Sequence, residues 1–177
     1  MSAPESPAAA RPDLSVAPDL SVAIGSLALK NPLIAASGCF GYGVEYGATI
    51  DLATLGAVCV KGLFLTEREG HAPPRIVETP AGMLNAIGLQ GVGVHRFVAE
   101  TLPELRALGA VVMVNVCGST IEEYAEVSRI LSDAEGVAAI ELLMPVVQPG
   151  RAPHFVRSCL AGPTFRGSAL AWEGLSH

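Results

Sequence analysis

The stretch A-V-C-V-K-G-L at Ala57–Leu63 decides the fold, because it is almost continuously apolar and shows no alternation of apolar and polar residues. A strand of this kind is buried on both faces, as in a parallel sheet that is covered on both sides. Three further runs have the same character, at Pro32–Ala36, Ala110–Val116 and Val137–Leu143. Four such runs in succession predict a parallel sheet.

Segments with helical period separate these runs and predict the crossover helices. The clearest is Ser119–Leu131, which begins with a capping box. Val94–Leu108 predicts a second helix, in which Pro103 causes a kink or lies in the first turn of a new helix. Val44–Leu55 predicts the first crossover helix. Before all of these, Gly25-Ser26 is a two-residue turn that predicts a β-hairpin.

The order of these elements predicts an α/β protein, either an open doubly wound sheet or part of a (β/α)8 barrel. An open dinucleotide-binding sheet normally carries G-x-G-x-x-G after its first strand, whereas the first loop here reads S-G-C-F-G-Y-G. The barrel is therefore favoured. We expect the first four βα units of a (β/α)8 TIM barrel, an N-terminal hairpin, a disordered extension over residues 1–18 and an irregular C-terminal tail.

Composition limits the possible functions. The 177 residues are half hydrophobic and suffice for one domain with a core. The net charge of -6 argues against a nucleic-acid surface and against an anionic membrane. No apolar stretch approaches the ~20 residues that cross a bilayer. The four cysteines lack metal-ligand spacing, and three of them lie in or beside apolar runs, where cysteine acts as a small hydrophobe unless it is a reactive thiol. Reduced thiols fit a cytosolic compartment, so we expect a cytoplasmic protein without a metal site.

Polar residues in apolar surroundings are the candidates for ligand binding. Lys61 is the only charge in its strand and suits a fixed ammonium for an anionic ligand, unless it reaches solvent from the rim. Asn115, near a strand end, offers a donor and an acceptor, or else satisfies nearby backbone groups. Asn85 lies in E-T-P-A-G-M-L-N-A-I-G-L-Q at Glu78–Gln90, an apolar loop that we expect to cover a site, although an asparagine can also simply form a turn.

Four other titratable residues are weaker candidates. His71 lies in a polar loop and His95 in the first turn of a helix, and neither has a carboxylate or cysteine at the spacing of a triad or a metal site. Glu78 and Glu141 could act as acid and base only if the fold brings them together.

Several motifs occur in a fixed order along the chain. They are N-P-L-I-A-A-S-G-C-F-G-Y-G-V-E-Y at 31–46, G-A-V-C-V-K-G at 56–62, P-P-R-I-V-E-T-P-A-G-M-L-N-A-I-G-L-Q at 73–90, V-N-V-C-G-S-T at 114–120 and E-E-Y at 122–124. In this combination the chain resembles the dihydroorotate dehydrogenases, and most of all their cytosolic, NAD-linked branch. The resemblance runs from about Asp19 to Leu142.

This resemblance implies a (β/α)8 barrel that binds FMN at the carboxyl ends of its strands and oxidises (S)-dihydroorotate to orotate in pyrimidine biosynthesis. In that branch the electrons pass to a partner subunit that carries FAD and an iron-sulfur cluster, and then to NAD. The motif match assigns the flavin contacts to Ala36, Ser37, Lys61, Gly62 and Asn115. It assigns the substrate contacts to Lys61, Asn85, Ala86, Ile87, Gly88 and Leu89.

The sequence departs from the family pattern at Leu143-Met144-Pro145, which stand where the family continues into N-x-S-C-P-N. The later cysteine that serves as catalytic base has no counterpart, so we assign no catalytic residue. We expect a partial barrel over 19–143 and a non-homologous tail over 144–177, produced by a reading-frame change or truncation. The fragment is then either an inactive piece of this oxidoreductase or a non-catalytic flavin-binding or assembly module, and its unpaired strand edges favour a homodimer.

Overall fold

The computed structural model describes residues 18–145 and 156–161 and has a mixed α/β fold. Its strands in chain order are β1 (Val22–Ile24), β2 (Leu27–Leu29), β3 (Ile34–Ala35), β4 (Ala57–Leu63), β5 (Ile76–Thr79), β6 (Gly82–Asn85), β7 (Val112–Val116), β8 (Val137–Pro145) and β9 (Val156–Ala161). The central sheet has the order β3-β4-β7-β8-β9. Its first four strands are parallel and follow chain order, which confirms the predicted parallel sheet.

Two helical segments connect the later parallel strands. Helix α1 spans 94–107 in three parts, namely the α-helical Val94–Arg96, the π-helical Phe97–Thr101 and the α-helical Leu102–Ala107. Pro103 lies in the first turn of the last part, as one of the two sequence alternatives predicted. Proline has no N–H and crowds the preceding turn. The wider π-helical turn directly before it separates the two α-helical parts.

Helix α2 spans Ile121–Asp133 and starts as its sequence predicted. The Thr120 side chain accepts a hydrogen bond from the backbone N–H of Glu123 at 3.2 Å. The Glu123 carboxylate in turn accepts the backbone N–H of Ser119 at 2.5 Å. The first contact satisfies one of the N–H groups that a helix start leaves unpaired, and the second holds the residue that precedes the N-cap Thr120.

The two faces of the sheet are covered by different elements. Both helices pack on one face, the outer face, where Phe97, Leu105 and Leu131 join Val58 and Val114 in a buried cluster. The hairpin β1–β2 covers the beginning of the opposite face, the inner face, where Leu29 packs on residues of three strands: Ala57, Cys59, Met113 and Ala139. The predicted hairpin with its turn at Gly25-Ser26 is thereby confirmed.

The prediction of a first crossover helix over Val44–Leu55 is wrong. The structure has two short 3-10 helices instead, at Val44–Tyr46 and Leu52–Thr54. Asp51 caps the second of them, because its carboxylate accepts the N–H of Ala53 at 3.0 Å. Local side-chain hydrogen bonds of this kind compete with a continuous helix, and the segment therefore does not complete a regular βα unit.

The predicted irregular tail is wrong over Val156–Ala161, which forms β9 antiparallel to β8. The edge of β8 offers unpaired backbone groups, and a strand from elsewhere in the chain satisfies them. The rest of residues 146–177 and residues 1–17 of the extension predicted over 1–18 lie outside the described residues. Neither helix of the described part has the length and hydrophobicity needed to span a bilayer.

Candidate functional site

The inner face changes from apolar to polar along the strands. It begins with Ala57, Met113 and Ala139, which pack on the hairpin β1–β2. Two residues further along β7 and β8, on the same face, lie Asn115 and Glu141, which are paired in register. The polar residues thus lie toward the carboxyl ends of the parallel strands, where α/β folds place their ligand sites.

Glu141 is the centre of the polar cluster. Its Oε2 accepts hydrogen bonds from Asn115 Nδ2 at 2.6 Å, from the Cys59 thiol at 3.2 Å and from the Ser37 hydroxyl at 3.4 Å. These donors come from β7, from β4 and from the loop after β3. One carboxylate oxygen therefore connects four parallel strands of the sheet.

A β-bulge lies directly beside this cluster. The register of β4 with β7 runs Val60↔Val114 and then Leu63↔Val116, so that two residues, Lys61 and Gly62, face the single residue Asn115. Bulges of this kind redirect side chains at functional sites. A Cβ atom at Gly62 would lie 2.5 Å from Cys117 Sγ and 2.9 Å from Asn115 Oδ1. Only glycine therefore fits this position without displacement of its neighbours.

Lys61 is half-buried in the bulge and not simply an exposed rim residue. Its backbone N–H donates to the Gly41 carbonyl at 2.7 Å, which holds the loop after β3 against the end of β4. Within the described part of the chain, its ammonium group has no hydrogen-bond or ion-pair partner. An ammonium group in this setting is available to an anionic or electron-rich ligand.

The two thiols of the cluster stay protonated at neutral pH. Burial, together with the hydrogen bond to Glu141 and its charge, raises the pKa of Cys59 to about 12. Burial raises the pKa of Cys117 to about 11, although the positive charge of Arg68 opposes this. Both cysteines are buried, as their apolar sequence context predicted, whereas Cys39 is exposed. In this state Cys59 and Cys117 are donors and neither can accept a proton.

The sequence Glu78–Gln90, predicted to be a loop, contains most of a hairpin formed by β5 and β6. Both strands are exposed, including Met83 and Leu84 at 60% and 67%. Asn85 is the last residue of β6 and is also exposed. Among the described contacts, none joins Asn85 to Lys61 or Asn115.

Backbone contacts fix the segment after the hairpin. The Ala86 N–H donates to the Arg75 carbonyl at 2.8 Å, and the Ile87 carbonyl accepts the His71 N–H at 3.0 Å. Gly88 and Leu89 follow with φ values of 79° and 54°. Five of the six predicted substrate residues, Asn85 to Leu89, thus lie on one exposed or half-buried segment that local backbone contacts hold, whereas Lys61 lies apart from it.

Arg75 joins the chain before the hairpin β5–β6 to the chain after it. Its guanidinium donates to Gln90 Oε1 at 2.8 Å and to the Glu69 carbonyl at 3.0 Å, and its buried Nε has no partner within the described structure. Next to Gln90, Gly91 pairs with Arg68 through two backbone hydrogen bonds of 2.8 and 2.9 Å. These contacts anchor the hairpin at the carboxyl end of β4.

The structure brings only some of the predicted site residues together. Ser37 and Asn115 share the same oxygen of Glu141, and Gly62 lies against Asn115. Ala36 precedes Ser37 and is exposed, with its carbonyl accepting the Cys39 N–H at 3.2 Å.

Sequence reasoning gave Glu141 no role beyond a conditional acid or base. The available signal was the same as for Lys61, a single charge inside an apolar strand. Glu78, its possible acid/base counterpart, lies on the exposed hairpin, and no described contact joins the two. In the described part of the chain, no cluster of three His, Cys, Asp or Glu side chains could hold a metal ion.

The comparisons with known proteins agree with one another. The family model described as Dihydroorotate dehydrogenase matches residues 19–155. The chain is 49% identical over 125 residues to the protein of Thermodesulfovibrio yellowstonii named Dihydroorotate dehydrogenase B (NAD(+)), catalytic subunit. Proteins of the same name from Thermoanaerobacter pseudethanolicus and Porphyromonas gingivalis are 51% and 53% identical over 124 and 116 residues.

These alignments cover 71%, 70% and 66% of this chain in the same order, but only 41%, 41% and 38% of the relatives. The chain therefore spans about two fifths of the length of the curated relatives that it matches. The family-model match includes strands β1 to β8, the bulge and the hairpin β5–β6, and ends before β9. On this evidence the chain belongs to the dihydroorotate dehydrogenase family, a family of oxidoreductases.

Proposed function

We propose that this chain supplies the first half of an FMN site for the oxidation of (S)-dihydroorotate to orotate, a step of pyrimidine biosynthesis. The observation that carries this proposal is the convergence of Ser37, the Lys61–Gly62 bulge and Asn115 around Glu141, toward the carboxyl ends of parallel strands. The strands would form the first part of a (β/α)8 barrel, since ligands of that fold bind at this end.

The residues present fit FMN. The flavin ring edge carries both hydrogen-bond acceptors and a donor, and the cluster offers an ammonium group at Lys61 and an amide at Asn115 that is 3% exposed. FMN, when bound, would accept two electrons from the substrate. Lys61 would stabilise the negative charge that the ring gains, because a fixed ammonium in a partly buried site acts strongly on nearby charge.

The hairpin segment would hold the substrate. Asn85 offers the donor and acceptor that a pyrimidine ring with an imide group requires, and Ala86, Ile87, Gly88 and Leu89 would shape the pocket beside it. Lys61 would contact the substrate carboxylate from the other side. For this the hairpin must approach the inner face, where Asn85 now has no described contact.

The chain by itself would not turn over, since the oxidation also removes a proton from the substrate. Cys59 and Cys117 keep their protons at neutral pH because their pKa values are about 12 and 11. Neither can act as the base, and we assign that role to no residue of this sequence. The relatives are named catalytic subunits. We therefore propose an electron-transfer partner that carries FAD and an iron-sulfur cluster and reduces NAD. We also propose a cytoplasmic location. The unpaired strand edges of a partial barrel lead us to propose a homodimer.

Anaerobic titration of the purified chain with FMN tests the proposal. We expect quenching of flavin fluorescence on binding, and no bleaching of the flavin after dihydroorotate is added. Lys61→Ala should weaken FMN binding by about tenfold, the loss typical of one charge-assisted hydrogen bond. Lys30→Ala is the matched control, because Lys30 is an exposed lysine directly after β2 that makes none of the contacts of the polar cluster. Bleaching by dihydroorotate would contradict the inactivity of the isolated chain.

A second candidate is a non-catalytic assembly module, and β9 favours it. A barrel requires the next strand to pair parallel to β8, but β9 already occupies that edge in the antiparallel direction. In this case residues 19–143 retain half of the site without catalysis, and β9 from the tail over 144–177 pairs with the edge of β8. Absence of any FMN binding by the wild-type chain would favour this candidate over the first.

A further inference from the structure

The side chain of Asn115 can be placed in only one orientation by its partners. Oε2 of Glu141 is also the acceptor for two further donors, the Ser37 hydroxyl and the Cys59 thiol. The amide nitrogen of Asn115 must therefore be the atom 2.6 Å from it. The amide oxygen then faces the Cys117 thiol, which donates to it at 3.4 Å.

The surroundings give the amide no freedom to turn around. Asn115 is 3% exposed, and its Oδ1 lies close to the Gly62 backbone in the bulge. A rotation by half a turn would place the buried amide oxygen against the half-buried carboxylate of Glu141, so that two acceptors would face each other without a donor. A buried polar group without a partner costs about 1–3 kcal/mol, so the observed orientation is strongly preferred.

We propose that Glu141 is a positioning residue that fixes which edge of the Asn115 amide faces the ligand. The inference rests on the proposed function, since it assumes that the ligand is a ring with alternating donors and acceptors such as the flavin. For such a ring, a reversed amide would set donor against donor and acceptor against acceptor. Glu141 would then act through Asn115, without touching the ligand itself.

Glu141→Gln tests this with almost no change of shape. The glutamine amide can donate as well as accept, so it no longer dictates the orientation of Asn115. We expect FMN affinity to fall by about twofold or more, because an amide whose orientation is no longer fixed leaves about half of the population with the wrong edge toward the ligand. Glu135→Gln is the matched control, since Glu135 also loses one negative charge but its side chain is 85% exposed and pairs only with Arg106 on the surface.

The double variant Asn115→Asp with Glu141→Gln separates positioning from stability. It keeps one carboxylate and one amide, so the two strands remain joined by a hydrogen bond, but the direction of that bond is reversed. We expect the unfolding midpoint to return toward the wild-type value while FMN affinity stays low. Recovery of FMN affinity together with the midpoint would show that Glu141 only ties β7 to β8, and the inference would be overturned.

A measurement without FMN keeps the inference separate from the proposed function. In the full chain, nuclear magnetic resonance should show one Asn115 side-chain amide proton shifted downfield by the carboxylate, and Glu141→Gln should abolish that shift. The signal is assigned by its loss in Asn115→Ser. An unshifted proton in the wild type would overturn the inference. A shifted proton in a chain that binds no FMN would instead contradict the proposed function and leave the orientation established.

Discussion

Gly88 and Leu89 are two consecutive residues with left-handed backbone conformation, at φ values of 79° and 54°. Leu89 is the only residue other than glycine with a positive φ in the described part of the chain. This conformation is unfavourable for a leucine and tends to persist where function requires it. Its place in the proposed substrate segment therefore agrees with a backbone shaped for a ligand and not for stability.

Gly88→Ala should destabilise the protein by about 1–3 kcal/mol. The positive φ disfavours any side chain, and a Cβ atom would lie 2.6 Å from the His71 backbone nitrogen. Urea unfolding measures the change. Gly38→Ala is the control, since no atom lies within 4 Å of its Cβ position and its φ is not positive. An equal effect of both substitutions would mean that the segment is not held as described.

Part of the candidate site could be predicted from single residues. Lys61 and Asn115 were recognisable as polar residues in apolar strands, and both lie at the polar cluster. The role of Glu141 was not recognisable, because it depends on three donors that lie 26, 82 and 104 residues away in sequence. The bulge at Lys61–Gly62 could not be predicted either, because a bulge is defined by how β4 pairs with the neighbouring strand β7.

Among the elements, helix α2 depends on its first residues. Thr120→Ala removes the side chain that accepts the Glu123 N–H, and should cost about 1 kcal/mol, as N-cap substitutions typically do. The free energy of unfolding in urea measures this. Ser132→Ala is the control within the same helix, because its hydroxyl donates only to the Ser128 carbonyl, which the helix already satisfies. If the two variants lose the same stability, Thr120 is not the cap.

Elements defined by local sequence were predicted well, and those defined by distant partners were not. The run Ala57–Leu63 was predicted with its observed bounds because continuous apolarity is a local signal. The helix predicted over Val44–Leu55 failed because Asp51 caps a short turn inside it. The strand β9 was missed because its pairing partner is β8, and nothing in its own sequence specifies that edge.

For the whole molecule, the buried thiols predict a loss of stability at high pH. The pKa of Cys59 rises from 9.0 in its ordinary state to about 12 in the folded protein. The folded state therefore binds this proton more tightly, and its contribution is complete below pH 9 and is lost as the pH rises toward 12. Cys59→Ala should make the decline of unfolding free energy between pH 9 and 11 shallower. Cys39→Ala, at an exposed cysteine, should leave the pH dependence of the unfolding free energy unchanged. A shallower decline in Cys39→Ala but not in Cys59→Ala would contradict the attribution of this decline to Cys59.

The antiparallel strand β9 also has a consequence for the whole molecule. A variant that ends after Pro145 lacks β9 and exposes the backbone edge of β8. Exposed strand edges recruit other strands. We expect this variant to form larger species than the full chain as concentration rises, as measured by light scattering after size-exclusion chromatography. The same mass for both proteins at every concentration would mean that β9 does not protect this edge.

The bulge in β4 changes which face of the sheet the following side chain points to. Val58 and Val60 face the helices, and without the bulge the next residue on that side would be Gly62, with Leu63 turned toward the ligand. The extra residue resets the alternation, so that Leu63 returns to the core while Lys61 serves the site. If the same seven residues paired regularly, Leu63 would leave the core and Gly62 would take its place, so the bulge lets one strand supply both the core and the polar cluster.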